Sequence, residues 1–347
     1  MEKLVVNGYF YAQKARGVHR FARELMLELD KIIPSGKLKV IIPSYVSNYP
    51  CFSNLEIVKY GRHKGQLWEQ TDLAGYLLKN GCISLNLCNS VPLLRPGILC
   101  IHDTAYKNHP EYFKTLYGRM SVFWHRLIFR RAVWSRYPLL TVSYYSKYSI
   151  VDTYHVDPGR VHVIGNGWQH IRRVEADMDV LEKHDLKEGC FYFTLGNISY
   201  NKNTNWVIEY AKKHPEELFV LSGVRAKNSN IDVDRTENVK WLGYLSDGEI
   251  AALYKSCKAF IFPSIHEGFG IPPMEALSQG AKIIVANTSC LPEIYRGSAV
   301  YIDAYDTDVD LEELLAKEVA SPKYVLEEYS WEKSANLLKD LIQEYLL

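Results

Sequence analysis

A chain of 347 residues is longer than one ordinary hydrophobic core requires and suits two α/β domains. With 47% hydrophobic and 23% charged residues, its composition is globular, which excludes the disordered and fibrous classes. A formal net charge of +1 gives no whole-molecule field for nucleic acid or an acidic partner, so electrostatic recognition must be local.

The segment Met1-Glu2-Lys3-Leu4-Val5-Val6-Asn7-Gly8 reads as a first strand, without the charged-then-apolar pattern of an export signal. Short apolar runs then alternate with helical patterns, the signature of βαβ units and parallel sheets. In the first half the runs are Lys3–Val6, Leu38–Ile42, Ile83–Leu87, Ile98–Ile101, Leu139–Val142 and Val161–Ile164. Helical periodicity falls at Val18–Asp30, Leu67–Lys79 and Leu116–Trp134. No apolar run approaches the roughly 18 to 20 residues of a membrane span; Leu93-Leu94 is cut off by Arg95 and Pro96. Cysteines at 51, 82, 88, 100, 190, 257 and 290 include no C-x-x-C pair and are expected to be reduced thiols, neither a disulfide framework nor a zinc site. The expected location is the cytoplasm, with the inner face of a membrane within reach.

Between Glu111 and Asp152 there is no acidic residue, whereas Lys114, Arg119, Arg126, Arg130, Arg131, Arg136 and Lys147 all occur, interleaved with Phe123, Trp124, Phe129 and Trp134. One reading is a basic amphipathic helix on an anionic membrane surface, with Arg119, Arg126 and Arg130 toward acceptor or lipid. The other is an ordinary helix whose stripe Leu116, Met120, Phe123, Leu127 and Trp134 faces the core. One such helix in a neutral protein does not make a nucleic-acid surface.

Gly165-Asn166-Gly167 is a turn signal that ends the first series. It sets expected domains of 1–166 and 167–347, with residues 168–188 as linker and surface helix. The second series has runs at Phe191–Thr194, Leu218–Leu221, Val239–Leu242, Ala259–Phe262, Lys282–Val285 and Ala299–Ile302, with helices at Trp206–His214, Asp247–Ser256 and Pro273–Gln279. The last stretch, Ser330–Leu347, is amphipathic through Trp331, Ala335, Leu338 and Ile342, and is free to pack back on the first domain.

The segment most telling of chemistry is Phe262-Pro263-Ser264-Ile265-His266-Glu267-Gly268-Phe269-Gly270-Ile271-Pro272-Pro273-Met274-Glu275-Ala276. A strand ends, a glycine-rich turn follows, and two prolines open a helix where proline is tolerated. The backbone N–H groups of Gly268, Phe269, Gly270 and Ile271 then lie at a helix N-terminus, which favours a diphosphate. Glu267 on the loop and Glu275 on the expected first turn form a carboxylate pair suited to vicinal sugar hydroxyls. His102-Asp103 follows an apolar strand, the edge where open α/β sheets bind ligands. His266-Glu267 lacks the second histidine of a zincin, and Ser143 lacks the glycine frame of a nucleophile elbow.

This string resembles the E-x7-E motif of the family 4 glycosyltransferases, which have the GT-B fold: two Rossmann-like, doubly wound parallel-sheet domains facing across a cleft. Gly17-Val18-His19-Arg20, Cys100-Ile101-His102-Asp103, Val163-Ile164-Gly165-Asn166-Gly167, Thr194-Leu195-Gly196…Lys202-Asn203 and Tyr329-Ser330-Trp331-Glu332 are similar to further segments of that family. The resemblance implies that Glu267 contacts donor-sugar hydroxyls, Glu275 the ribose and Lys202 the diphosphate, with His102 beside the transferring sugar. Gly17, Gly196, Asn197, Gly243 and Tyr244 complete the implied donor set. Asn197 and Asn201 stand where many members carry an arginine, and Arg225 is the candidate to replace that charge.

The expected function is transfer of a sugar from a nucleotide diphosphate to a saccharide or lipid-linked saccharide in surface polysaccharide synthesis. Retention is favoured, with no metal and no cofactor beyond the nucleotide-sugar co-substrate. The alternatives are an epimerase or phosphorylase on the same scaffold, or a sugar-binding protein that has lost catalysis.

Overall fold

The computed structural model describes residues 3–15, 17–196, 200–223 and 236–346. These form two compact units, Met1–Gly167 with Trp331–Leu347, and Trp168–Ser330.

The first unit is built on seven parallel strands: β1 (Lys3–Asn7), β2 (Lys39–Ile42), β3 (Glu56–Lys59), β4 (Cys82–Asn86), β5 (Ile98–Cys100), β6 (Leu139–Thr141) and β7 (Val161–Val163), ordered β3-β2-β1-β4-β5-β6-β7. Its central strands are buried along their length, because helices cover both faces of a parallel sheet. Strand β3 carries Glu56 and Lys59 at its ends, lies at the sheet edge, and is too short and charged to show as an apolar run.

The second unit has six parallel strands: β8 (Phe191–Leu195), β9 (Leu218–Ser222), β10 (Val239–Trp241), β11 (Ala259–Phe262), β12 (Ile283–Ala286) and β13 (Val300–Ile302), ordered β10-β9-β8-β11-β12-β13. In both sheets the order reverses beside the first strand of the unit, between β1 and β4 and between β8 and β11. That reversal opens a crevice at the carboxyl ends of the strands, where open α/β sheets bind ligands.

Two expectations are corrected. Residues 168–188 are no linker: Trp168, His170, Ile171 and Val180 are buried, and Trp168 Nε1 donates to the Leu326 carbonyl at 3.0 Å. The helix Leu116–Val133 does not bury the expected stripe. Its core contacts are Val122, Ile128, Phe129, Ala132 and Val133, whereas Leu116, Tyr117, Met120 and Phe123 are 77%, 83%, 64% and 72% exposed. Leu127 and Trp134 are exposed as well. The 3.6-residue period marked an apolar stripe correctly, but the β5–β6 layer takes the neighbouring face of the helix.

The second unit ends at Ser330, so the last helix, Trp331–Ile342, counts with the first unit. It packs on the helix Val18–Ile32, with the fully buried Trp331 meeting the Phe21 ring edge-on at 6.1 Å. Truncating a buried tryptophan leaves a cavity its neighbours fill only in part. Trp331→Ala is therefore expected to lower unfolding stability by about 3 to 5 kcal/mol, measured by denaturant titration of the whole chain.

Candidate functional site

In the Trp168–Ser330 unit the carboxyl ends of β8 and β11 carry the loops that hold Lys202 and Glu267. The loops are sewn together by backbone: Ile265 N–H donates to the Asn201 carbonyl at 2.8 Å, and Asn203 Nδ2 to the carbonyls of Pro263 at 3.1 Å and Ala304 at 2.7 Å. Asn203 takes a left-handed conformation to do so, with φ of 52°. This stitching brings Lys202 Nζ to 2.6 Å from Glu267 Oε1, over the Phe262 ring. The Glu267 backbone N–H donates to Ser289 Oγ at 3.1 Å, which fixes the acidic end. Gly196 lies beside the Lys202 stem: a β-carbon on Gly196 would stand 3.7 Å from Lys202 Cγ.

Gly270 caps the helix Ile271–Ser278 at φ of 83°, and a β-carbon there would come within 2.8 Å of Leu291, so both backbone and packing require glycine. Its carbonyl accepts from the Tyr295 hydroxyl. Phe269 is buried with its ring edge-on to Tyr329 at 5.2 Å. Glu275 lies past the first helical turn, not on it. The carboxylate is nearly buried, with His170 Nε2 at 2.6 Å from Oε1 and the Tyr254 hydroxyl donating to Oε2 at 3.0 Å. A carboxylate oxygen accepts more than one bond, so both retain capacity for a ligand hydroxyl. Gly243, at φ of 70°, accepts from the Gly223 N–H, and Tyr244 is exposed. Asn197 and Arg225 lie outside the described residues.

Glu267 and Lys202 are thus in contact, while Glu275 belongs to a separate buried cluster with His170 and Tyr254. His170 was missed in the sequence because the segment around it is short, charged and without periodicity.

The remaining predicted residues are in the first unit. Gly17 caps the helix Val18–Ile32 at φ of 48°. His102 is buried, its ring edge-on to Phe21 at 4.7 Å, and its Nε2–H donates to the Leu87 carbonyl at 2.8 Å. Burial holds its pKa below the ordinary 6.5. Arg126 donates to the carbonyls of Tyr106 and Lys107, and Arg130 stacks over Trp134 at 4.2 Å.

Arg119 lies on the rim of a cavity of about 1000 Å³ at the crevice between β1 and β4. Asn7, Glu69 and Ser90 line it, with Tyr9, Tyr106 and Trp124 among its aromatic walls. Glu69 sits on a π-helical stretch, Trp68–Leu73, a local form that often marks a functional site. Asn7 Nδ2 donates to Glu69 Oε1 at 2.6 Å, and Ser90 Oγ is hydrogen-bonded to Glu69 Oε2. Burial outweighs both bonds and pushes the Glu69 carboxyl up to about 7. Sequence reading passed over Glu69 because the Leu67–Lys79 pattern reads as one plain amphipathic helix. A polar residue on a buried helical face was the available signal.

Among the described residues no cluster of His, Cys, Asp or Glu has the arrangement of a metal site, and no helix is long and apolar enough to cross a membrane.

Residues 180–345 match the family described as Glycosyl transferases group 1. The chain is 28% identical over 225 residues to the O-antigen chain mannosyltransferase RfbU of Salmonella typhimurium, covering 63% of this chain and 60% of that one. It is 24% identical over 262 residues to the O-antigen chain mannosyltransferase B of Escherichia coli, covering 69% and 68%. An Escherichia coli UDP-Gal:alpha-D-GlcNAc-diphosphoundecaprenol alpha-1,3-galactosyltransferase is 29% identical over 153 residues, 38% of each chain. Among solved structures, sucrose-phosphate synthase of Thermosynechococcus elongatus superposes with a TM-score of 0.72 at 14% identity, covering 99% of both chains. WaaG, a glycosyltransferase involved in lipopolysaccharide biosynthesis, gives 0.65 at 13%, covering 98% and 95%. The structural likeness is one of fold, and that fold is GT-B, as the sequence led us to expect.

The Glu69 carboxyl makes stability depend on pH. The unfolded chain releases this proton near the ordinary 4.5 and the native protein keeps it to about 7. Its contribution is therefore present below pH 4.5 and lost as pH rises to 7, by on the order of 3 kcal/mol. Glu69→Gln is expected to remove that part of the decline, read from denaturant titrations of both proteins at pH 5 and pH 8.

Proposed function

We propose that this chain, whose residues 180–345 belong to the glycosyl transferases group 1 family, transfers a hexose from a nucleotide diphosphate to a saccharide or lipid-linked saccharide during assembly of a surface polysaccharide. The observation that carries this reading is the Lys202–Glu267 pair, held at the strand-order reversal of the second unit beside a glycine-capped helix start. The names of the O-antigen relatives support the substrate class.

Each partner of that pair has a role toward a nucleotide sugar. The leaving diphosphate gains negative charge as the glycosidic bond breaks, and the Lys202 ammonium with the amides of Gly268 to Ile271 stabilises it. Glu267 turns to the donor-sugar hydroxyls and Glu275 to the ribose, its carboxylate held by His170 and Tyr254. We assign the reaction to retention, with a diphosphate oxygen accepting the acceptor proton, and to catalysis without a metal. His102 is a positioning group in this scheme: its Nε2 proton is committed to Leu87, and its lowered pKa makes it a poor base.

The acceptor falls to the first unit, whose cavity wall is formed in part by Tyr117, Met120 and Phe123 of the helix Leu116–Val133. These side chains continue onto the exposed stripe of that helix, flanked by Arg119 and Arg130. An apolar stripe with basic flanks fits an anionic membrane, which would bring a lipid-linked acceptor to the cavity.

Two measurements test the reading. Lys202→Ala is expected to cut turnover of the productive donor at least a hundredfold, in a panel of UDP-glucose, UDP-galactose and GDP-mannose, while leaving the denaturation midpoint within a few degrees of the native one. Unchanged kinetics in the folded variant would remove Lys202 from the leaving-group site. Flotation should show binding to anionic vesicles that weakens as salt rises, because the attraction acts over about 10 Å at 0.1 M. Equal, negligible binding to anionic and neutral vesicles would leave the stripe without a membrane role.

A further inference from the structure

The polar floor of the first unit's cavity is a hydrogen-bond chain whose direction can be read atom by atom. Asn86 Nδ2 donates to the carbonyls of Ser84 and Ile98, both at 3.0 Å. Carbonyls only accept, so the other end of that amide, Oδ1, must face Asn7. Asn7 Nδ2 then donates twice, to Asn86 Oδ1 at 3.1 Å and to Glu69 Oε1 at 2.6 Å, while Asn7 Oδ1 accepts the Tyr9 N–H at 3.3 Å. Glu69 Oε1 is thereby fixed as an acceptor. A neutral Glu69 carries its proton on Oε2, the atom bonded to Ser90 Oγ.

This sets the character of Ser90. A neutral Glu69 donates to Ser90 Oγ and leaves the serine's own hydrogen for the cavity, which Ser90 lines. An ionised Glu69 takes that hydrogen back and leaves only lone pairs facing outward. We propose that Ser90 reads the acceptor saccharide at the floor of this cavity by donating to a sugar oxygen, and that the Asn86–Asn7–Glu69 chain makes Glu69 the residue that holds it as a donor. The proposal rests on the reading that the first unit takes a saccharide acceptor.

The surroundings suit a sugar. Tyr9, stacked on Trp68 at 5.7 Å, presents a fixed aromatic surface for the apolar face of a pyranose. A saccharide oxygen that accepts from Ser90 binds the form in which Glu69 keeps its proton, the form that burial already favours up to about 7. Binding then takes up a proton and weakens as pH rises through 7.

The other titratable groups around the cavity do not produce that sign. Burial lowers the pKa of His19 and His125, so both are neutral above pH 6.5. Burial raises the Cys88 thiol, which faces Glu69, and the Tyr106 phenol, so neither ionises in this range. The guanidinium of Arg23, beside Cys88, does not titrate near neutrality.

Calorimetric titration with octyl α-mannoside, octyl α-galactoside and octyl N-acetyl-α-glucosaminide at pH 6.5 and 8.5 tests this without any donor. The folded protein should bind at least one glycoside, several-fold more weakly at pH 8.5. Ser90→Ala should weaken binding at pH 6.5 about five- to tenfold, the worth of one neutral hydrogen bond. Glu69→Gln, whose amide nitrogen donates to Ser90 as the neutral acid does, should bind equally at both pH values. The proposal is overturned if none of the three glycosides binds, if Ser90→Ala changes nothing, or if the pH dependence persists in Glu69→Gln. Failure of these titrations while Lys202-dependent transfer is intact would remove Ser90 and leave the transferase reading in place. Loss of transfer with these titrations positive would do the reverse.

Discussion

A parallel sheet covered on both faces leaves no place for unpaired polar side chains along its strands. Strands such as Ala259–Phe262 and Cys82–Asn86 are buried from end to end. Chemistry is therefore displaced to the carboxyl ends of the strands, and it collects where the strand order reverses, because there the outgoing loops part. Both units obey this constraint. In one, the reversal between β8 and β11 gathers Lys202 and Glu267. In the other, the reversal between β1 and β4 gathers Asn7, Asn86, Ser90 and, from the adjoining π-helical stretch, Glu69.

The two crevices solve the burial of charge differently. Lys202 and Glu267 neutralise each other and remain partly exposed, so the pair can part for a ligand at modest electrostatic cost. Among the described residues Glu69 has no cation against it and it is fully enclosed, so the protein holds the carboxyl near neutrality and satisfies it with an amide and a hydroxyl. Glu275 is intermediate, anchored by His170 and Tyr254 in a cluster that fixes its orientation. Position in the fold, more than residue type, thus distinguishes three glutamates with three different electrostatic settings.

The helix Leu116–Val133 joins cavity and surface. Its buried residues seal it to the sheet, its inner rim lines the cavity, and its outer stripe leaves large apolar side chains in solvent. An exposed apolar stripe on a protein surface calls for a partner, and the flanking arginines restrict which partner fits.

Much of this was legible in the amino-acid sequence. The alternation of apolar runs and helical periods prescribed two doubly wound units, because a strand buried on both faces is apolar along most of its length. The string Glu267 to Glu275 marked a glycine-rich loop running into a helix start, because glycine at a left-handed position and proline at a helix start each have a local steric cause. Local periodicity could not say which neighbour a helix face would meet, so it left open whether the stripe Leu116, Met120, Phe123, Leu127 and Trp134 faces a core, and the stripe does not join one. It could not see that residues 168–188 are drawn into the second unit through Trp168 and His170, nor that Glu69, Ser90 and Asn7 converge. Those contacts span 62 residues between Asn7 and Glu69 and 105 between His170 and Glu275. They are decided by the order in which strands are laid side by side, which no short-range pattern encodes.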